Sequence, residues 1–354
     1  MRMNTNKFTR LLVIGKRGGI LQWYEHLIDA GESLNGVEVK GFALNHNNFY
    51  ERAIKKIAGW ISPCAKANIT KKRLIRVLDN YKPQLIIIAD LFYFSDDLIS
   101  ALITYRQDCF FTHWIGDFYT SEILHSKPLI HHFFFTDTAL VNHAKSLGLD
   151  NSSYLPLAYN PRVFTPPETN KKRSNLLLFV GAWSKNRERI INDIDYPMLV
   201  IGKGWRKKLN RENHKVVSKN INQEELAKLY QEFNYVLNII NTENIKNGLN
   251  MRCFEAPGCK ALLVTDDVKD LPYCYTENLD VLVYDTACQI PTLLASQNKK
   301  SQTATIENGH KKAQEMHTYK VRIQSIINIS SLTNKHESLS EKSPTIINIY
   351  EVVT

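Results

Sequence analysis

The sequence lacks the features that mark membrane-spanning, secreted and zinc-binding proteins. No apolar run approaches the roughly 20 residues that a transmembrane helix needs. The run LLVI near the start of the chain is too short for a signal peptide. The six cysteines are scattered without a CxxC pair, so neither a disulfide framework nor a zinc site is expected. We therefore expect a cytoplasmic protein that binds no metal.

What the sequence does contain is a hydrophobic core and an excess of basic residues. The chain has 354 residues, enough for two domains, and 44% of them are hydrophobic. Its 45 basic and 35 acidic residues give a net charge of +10. This charge favours an anionic partner, which can be a phosphate-bearing ligand, an anionic membrane surface or a nucleic acid. A loose association with the inner face of the membrane is compatible with a cytoplasmic location.

Short apolar runs alternate with helical patterns along both halves of the chain. Continuous runs such as QLIIIAD are typical of strands that are buried on both faces of a parallel sheet. The alternation predicts an α/β fold with two doubly wound domains, residues 1–160 and 176–328. The proline-rich stretch 161–175 is interpreted as a linker. The tail, 329–354, is expected to be mobile or to pack back on the first domain.

Ligands of open α/β sheets bind outside the carboxyl ends of the strands, and two such sheets joined by a linker predict a cleft between them. Residues that directly follow a predicted strand are therefore the first candidates for a site. The stretches in that position are VIGKRGG (13–19), THWIGDFY (112–119), FVGAWSKNRERI (179–190), VIGKGW (200–205) and LNMRCFEAPG (249–258).

The last of these stretches places an arginine and a glutamate on one helix face. Arg252 and Glu255 are three residues apart, and Asn250 lies near the predicted helix start, where unpaired N–H groups attract anions. A guanidinium can hold phosphate oxygens in a fork, and a carboxylate can accept hydrogen bonds from a diol. The pattern fits one end of a nucleotide diphosphate site, but it fits a surface ion pair worth less than about 1 kcal/mol equally well.

A basic loop follows the strand LLLFV. Gly181 would form its turn, and Lys185 and Arg187 would be placed to neutralise phosphates. Arg189 is better explained as part of a solvated helix start.

Two glycine-rich turns are weaker candidates. In VIGKGW, Lys203 and Gly204 precede Trp205, which can stack on a base or a sugar, or simply pack in a tight turn. In VIGKRGG, Gly18 and Gly19 would line the cleft on the acceptor side. This stretch is neither the GxGxxG fingerprint nor a P-loop.

A general base would have to come from the first half of the chain. Asp117 follows the strand in THWIGDFY and can deprotonate an acceptor hydroxyl, with His113 as the second choice. A helix-capping or turn aspartate is the alternative interpretation of Asp117.

Several of these stretches, in their order, resemble the CgeB-type glycosyltransferases and, more broadly, GT-B enzymes of the "glycosyl transferases group 1" type. The resemblance covers about residues 110–325, whereas the first hundred residues fit only by pattern. It implies a GT-B fold, in which two Rossmann-like domains face a central cleft and the second domain holds most of the nucleotide sugar. The stretches that carry it are FVGAWSKNRERI, VIGKGW, LAKLYQEFNYVLNII, LNMRCFEAPGCKALLVTDD and ENGHKKAQEMHTYKVRI.

The resemblance also implies roles for residues. Glu255 would hold the ribose hydroxyls, Arg252 and Arg187 would face the diphosphate, and Asn250 would lie in the same pocket wall. The loop from Lys203 to Trp205 would lie near the base. Such enzymes need no cofactor and no metal, because positive side chains replace the metal.

The sequence departs from the family pattern at two positions. Retaining enzymes of this type carry a second glutamate eight positions before the ribose-binding one, where this chain has Asn247, so retention and inversion both stay open. Lys260 stands where the family tends to have glycine, which requires either that Gly258 takes over the turn or that Lys260 adopts a positive φ at about 1 kcal/mol.

Together these observations predict a metal-independent glycosyltransferase. It would move a sugar from a nucleotide donor, linked to UDP, GDP or dTDP, to a hydroxyl of a glycan or glycolipid such as a bacterial surface polysaccharide or lipopolysaccharide. One alternative is a nucleotide-sugar epimerase on the same fold. Another is a non-catalytic protein that binds nucleic acid or an anionic glycan, but the basic residues are not interleaved with aromatic residues on one face, so no nucleic-acid partner is expected.

Overall fold

The chain divides into two compact units of α/β structure. The first unit comprises Met1–Pro156 with Tyr319–Thr354, and the second comprises Leu157–Thr318. The computed structural model describes residues 9–18, 22–45, 63–89, 92, 94–168 and 172–336.

Within its described residues, the first unit is built on a parallel sheet of six strands in the order β2-β1-β3-β4-β5-β6. The strands are β1 (Thr9–Gly15), β2 (Val37–Ala43), β3 (Leu85–Ala89), β4 (Phe110–Ile115), β5 (His132–Phe135) and β6 (Ser152–Tyr154). Among the described residues before 157, the α-helices are α1 (Trp23–Glu32), α2 (Pro63–Tyr81), α3 (Asp96–Leu102) and α4 (Thr138–Ser146).

The second unit repeats this plan. In its described part the parallel sheet has the order β12-β11-β10-β7-β8-β9. Its strands are β7 (Ser174–Val180), β8 (Met198–Ile201), β9 (His214–Val217), β10 (Phe233–Leu237), β11 (Leu262–Asp266) and β12 (Leu282–Tyr284). Its helices are α5 (Lys185–Asn192), α6 (Gln223–Glu232), α7 (Arg252–Gly258), α8 (Ile290–Ser296) and α9 (Lys299–Met316).

The central strands are buried over most of their length, as their continuous apolar runs predict. All five residues of β3 are buried, and so are the last four residues of β7. Four of the described helices, α4, α5, α6 and α9, begin at side-chain caps. Asn222 accepts a hydrogen bond from the Glu225 N–H, and the Glu225 carboxylate accepts one from the Asn222 N–H, which completes the capping box that the sequence predicts.

The turn between α7 and β11 uses a lysine where a glycine would be unstrained. Lys260 has a φ of 54°, so this residue adopts the left-handed conformation. Its Nζ lies 2.7 Å from Glu307 of α9, an ion pair that fixes the side chain. Gly258 keeps the helical backbone of α7 and does not take over the turn. Its missing Cβ instead leaves room for the Tyr159 ring, since a Cβ there would lie 2.5 Å from that ring. Of the two solutions that the sequence leaves open, the strained lysine is the one adopted.

The C-terminal helix belongs to the first unit, which differs from the predicted domain boundary. Helix α10 (Tyr319–His336) begins where the second unit ends, at Thr318 and not at residue 328. The ring of Tyr319 lies 6.1 Å from that of Trp114, and Arg322 Nε donates to the Pro156 carbonyl at 2.7 Å. Residues 337–354, in the predicted tail, lie outside the described residues.

The predicted linker is packed and not a free tether. Phe164 is buried in the core of the second unit, and its backbone N–H donates to Asn160 at 2.9 Å. Gln231 of α6 donates to the Thr165 carbonyl at 3.0 Å. The first part of the stretch 161–175 is therefore an integral piece of the second unit, although its prolines exclude it from a regular element.

Candidate functional site at the carboxyl end of the second sheet

Polar groups gather at the carboxyl ends of three neighbouring strands of the second unit. Strands β10, β7 and β8 are adjacent, and they end at Leu237, Val180 and Ile201. The segment after β10 leads to α7, and this helix carries Arg252 back over the sheet edge. The residues just beyond these strand ends therefore form the candidate site, at the edge where ligands of such sheets bind.

Arg252 connects two of these strand ends. Its Nη1 donates to the Asn238 side-chain oxygen at 2.7 Å, and its Nη2 donates to the Val180 carbonyl at the end of β7. Gly181 packs beside this guanidinium, since a Cβ at that position would lie in ordinary contact with Arg252 Nη2, at 3.4 Å. The arginine is thus held at the sheet edge and does not form the surface ion pair of the alternative interpretation.

A second arginine shares an aromatic ring with the first. The guanidinium carbons of Arg252 and Arg187 lie 5.1 Å and 5.7 Å from the centroid of the Phe179 ring. Arg187 Nη1 donates to the Ala182 carbonyl at 2.9 Å. Burial, assisted by the charge of Arg252, lowers the pKa of Arg187 to about 10. Two cations in a partly buried location repel each other, so an anion placed between them would be stabilised.

Asn238 is the centre of the hydrogen bonds beneath Arg252, and sequence reasoning did not single it out. Its side-chain oxygen also accepts from Asn250 Nδ2 at 2.7 Å, and its own Nδ2 donates to Thr265 Oγ1 at 3.1 Å. The residue is fully buried. A buried asparagine with all these partners fixes the direction in which the guanidinium points.

Asp266 is the second residue that sequence reasoning missed. Its Oδ1 accepts from Asn238 Nδ2 at 3.3 Å, and its Oδ2 accepts from the Ile240 N–H at 2.9 Å. Burial raises the pKa of this carboxyl, and the hydrogen bond from Ile240 opposes the rise. Both residues carried a signal, since each is a polar side chain at the end of an otherwise apolar strand, in YVLNII and LLVTDD.

Glu255 lies on the same short helix as Arg252 and is 4% exposed. Burial raises the pKa of this carboxyl to about 8, although the charge of Arg252 opposes the rise. A carboxyl in this condition is largely protonated at neutral pH, so it can donate one hydrogen bond and accept others. The predicted helix N-terminus is a weaker feature, because α7 has seven residues and its N-cap Met251 makes no side-chain bond. The guanidinium groups, and not the helix start, are therefore the stronger candidates for binding an anion.

The loop after β8 differs from its prediction in one respect. The Trp205 ring is fully buried, and its Nε1 donates to the Gly181 carbonyl at 2.7 Å. This tryptophan therefore packs beneath the turn and offers no face to a base or a sugar. Lys203 and Gly204 are exposed beside it, and Gly204 has a φ of +92°. Lys185 is also exposed, at the first position of α5.

Gly202 holds this loop against the turn after β7. Its φ is +155°, and a Cβ there would lie 2.0 Å from the Gly181 carbonyl oxygen. We expect Gly202→Ala to destabilise the protein by more than about 3 kcal/mol, because both the φ and the contact must change. Gly36→Ala is the control, since Gly36 has a φ of +77° in open space and should cost about 1 kcal/mol. Urea unfolding measures both, and equal losses would contradict the proposed contact.

In the first unit, the two residues predicted as bases have different environments. Asp117 is half-buried and follows β4 by one residue, as predicted. His113 lies within β4 and not after it, and it is fully buried among aromatic rings such as that of Phe133. His113 is therefore a core residue and not a second candidate base. Gly18 has a φ of +76° and donates its N–H to Glu25 at 2.7 Å, whereas Gly19 lies outside the described residues.

Metal-binding clusters and membrane-spanning helices are both missing from the described part of the chain. None of its histidines, cysteines, aspartates and glutamates form a group of three or more that could hold a metal ion. Among the helices described, none combines the length and the apolar character that crossing a bilayer requires.

Comparison with known proteins finds a family model and a curated relative that are similar to part of the chain. Residues 177–328 match the model of a family described as "Glycosyl transferase-like". The spore protein CgeB of Bacillus subtilis (strain 168) is 29% identical over 140 residues, which are 34% of this chain. The chain spans less than half of that relative, since the match covers 44% of its length. The resemblance to the CgeB-type glycosyltransferases that the sequence indicated is confirmed.

Solved structures extend the likeness to most of the chain. A glycosyltransferase from Rickettsia africae ESF-5 has a TM-score of 0.63 at 10% identity, over 94% of this chain and 100% of that one. Anabaena Alr3699/HepE in complex with UDP-glucose has a TM-score of 0.61 at 9% identity, over 92% of this chain and 100% of that one. At such low identity the likeness establishes the fold alone, and it confirms the predicted GT-B class with its two parallel α/β sheets.

Proposed function

We propose that this chain, whose residues 177–328 match the "Glycosyl transferase-like" family model, transfers a sugar from a nucleotide donor to a hydroxyl of an acceptor. The observation that carries the proposal is the pair of guanidinium groups on the Phe179 ring, at the strand ends where α/β sheets bind nucleotides. Anabaena HepE, which shares the fold, is found in complex with UDP-glucose, and this supports a nucleotide sugar as the donor.

Arg252 and Arg187 would act on the leaving group. As the bond between sugar and diphosphate breaks, negative charge grows on the diphosphate oxygens. Two fixed cations stabilise that charge, and Arg252 is already aligned by Asn238 and the Val180 carbonyl, so little reorganisation is needed during the reaction. These side chains supply the positive charge that a metal provides elsewhere, which is the reason we propose a metal-independent reaction.

Glu255 would hold the ribose. A largely protonated carboxyl can donate to one hydroxyl of the diol and accept from the other, so the raised pKa suits this task. It also avoids placing a full negative charge beside the diphosphate. In the first unit Asp117 would orient the acceptor hydroxyl, and in an inverting reaction it would also remove the proton. A cytoplasmic site of action, at or near the inner face of the membrane, and a surface polysaccharide or lipopolysaccharide acceptor complete the proposal.

A thermal-shift panel tests the donor. UDP, GDP, dTDP, CMP and ADP are each added with and without magnesium. We expect one nucleotide to raise the melting temperature clearly, because it binds only the folded state, and we expect no dependence on magnesium. Glu255→Ala should abolish the shift. The control is Glu307→Ala on the exposed surface of the second unit, which should leave the shift unchanged.

Turnover and DNA-binding measurements, together with the panel, separate the proposal from its rivals. A transferase should release nucleoside diphosphate from its donor faster when an acceptor glycan is added, whereas an epimerase would convert the donor fully with no acceptor present. A binding protein for nucleic acid would ignore every nucleotide and bind DNA with a strong salt dependence. A nucleotide response that survives Glu255→Ala unchanged would overturn the role given to this residue.

A further inference from the structure

An exposed tryptophan lies in the turn beside both arginines. The turn 181–184 joins β7 to α5, and its Ala182 carbonyl accepts from Arg187. The carbonyl of Val180, just before the turn, accepts from Arg252. Trp183 in the same turn is 36% exposed, in contrast to the fully buried Trp205. The sequence suggested Trp205 as the ring that stacks on a base or a sugar, but Trp205 is buried and cannot do so.

The Trp183 ring is held by several neighbours. Its Nε1 donates to the Glu188 carboxylate at 2.5 Å, and its backbone N–H donates to the Lys203 carbonyl at 2.9 Å. The Lys208 ammonium lies 4.5 Å above the ring centroid and covers one face. Because the indole is already ordered, the Trp183 side chain would lose little conformational entropy when a ligand stacks on its other face.

The position of Trp183 matches the dimensions of a nucleotide. Gly181 approaches Arg252 Nη2 closely, and Trp183 is two residues further along the chain, a span of at most about 7 Å. In a nucleotide, a single ribose separates the base from the first phosphate. A phosphate bound by the guanidinium groups would therefore bring the base within reach of the exposed indole.

We propose that Trp183 stacks on the nucleobase of the donor with the ring face opposite Lys208. This inference rests on the proposed function and adds a binding residue to it. Stacking on an indole is available to every base, since each has a π face, so Trp183 would create a requirement for a base without selecting which base. Lys208 would strengthen the arrangement through its cation–π contact with the ring.

The test compares a ligand that has a base with one that lacks it. Calorimetry gives the Kd of the nucleotide with the largest thermal shift and the Kd of inorganic pyrophosphate. We expect Trp183→Leu to weaken nucleotide binding by roughly 5- to 100-fold, while pyrophosphate binding stays within about twofold of wild type. Trp183→Phe should restore most of the nucleotide affinity. Tyr273→Leu is the matched control, because Tyr273 is an aromatic residue of the second unit that is 51% exposed, and it should change neither Kd.

A fluorescence measurement gives a second readout. Nucleotide addition should quench the emission of the wild-type protein, and the quenching should be lost in Trp183→Phe although that variant still binds. Equal nucleotide affinity in wild type and Trp183→Leu would overturn the inference while leaving the proposed function intact. Equal weakening of nucleotide and pyrophosphate would also overturn it, since the effect would then not depend on the base. A wild-type protein that binds neither ligand would instead reject the proposed function.

Discussion

Replacing Arg252 by methionine is expected to lower the rate of donor cleavage by about 10²- to 10³-fold while leaving the protein folded. The loss is large because the guanidinium would meet charge that develops only as the diphosphate departs. Methionine keeps an apolar stem against the Phe179 ring and removes the repulsion between the two arginines, so the melting temperature should fall little. The rate is measured as release of nucleoside diphosphate from a sugar donor that carries the nucleotide identified in the thermal-shift panel.

Asn238 should contribute to the same effect through Arg252. Asn238→Leu removes the acceptor of Arg252 Nη1, so the guanidinium should lose its alignment and the rate should fall about tenfold. If Asn238 acts only through Arg252, the double variant will be no slower than Arg252→Met alone. A double variant whose loss is the product of the two single losses would show that Asn238 acts independently.

Arg173 provides the matched control for Arg252. It is also a half-buried arginine of the second unit, but it precedes β7 and so lies at the opposite edge of the sheet. Its guanidinium donates to the carbonyls of Tyr230, Phe233 and Lys260. Arg173→Met should therefore lower the melting temperature and leave the turnover of the folded protein unchanged. A loss of turnover equal to that of Arg252→Met would mean that the effect of Arg252 is structural.

The sequence predicted the fold well because parallel α/β sheets leave a local signature. Runs such as Leu85–Ile88 have no polar interruption, and the helices between them carry recognisable caps such as Asn222. The predicted boundary at residue 328 was wrong for a reason that no local pattern contains. The apolar residues of α10, among them Ile323 and Ile326, show that one face of the helix is buried, but not which unit covers it.

The candidate site was predictable only where its residues are close to one another in the sequence. Arg252 and Glu255 are close in sequence and follow the geometry of a single helix, so their proximity could be inferred. The hydrogen-bond partners of the Asn238 side chain are 12 to 28 residues away along the chain, and only the tertiary structure brings them together. Spacing alone also does not decide which of two tryptophans in neighbouring turns packs into the core, so the exposed Trp183 was overlooked and the buried Trp205 was chosen.

The Glu255 carboxyl should make the stability of the second unit depend strongly on pH. Its pKa is about 8 in the folded protein and 4.5 as the reference value for an unfolded chain. Below pH 4.5 the group is neutral in both states and costs nothing. As the pH rises towards 8, the unfolded chain releases this proton while the folded protein retains it, so stability is lost progressively across that window. The gap corresponds to at most about 5 kcal/mol.

Glu255→Gln should remove this dependence, because glutamine is neutral at every pH and has nearly the same shape. We expect the variant to match wild type near pH 4 and to exceed it by several kcal/mol at about pH 9. Urea unfolding measured at intervals between these pH values gives the difference in the free energy of unfolding between the two proteins. The transition to follow is that of the second unit, which is recognised because bound nucleotide shifts it. Other titrating groups are common to both proteins and cancel in the difference.

Glu307→Gln is the control, because Glu307 is exposed and its ion pair with Lys260 is worth less than about 1 kcal/mol at any pH. Parallel curves for wild type and Glu255→Gln would mean that water or a neighbouring charge already stabilises the ionised carboxylate. In that case the neutral carboxyl proposed for the ribose would have to be replaced by a carboxylate that only accepts hydrogen bonds. The pH dependence of stability therefore also tests which of these forms of Glu255 would meet the donor.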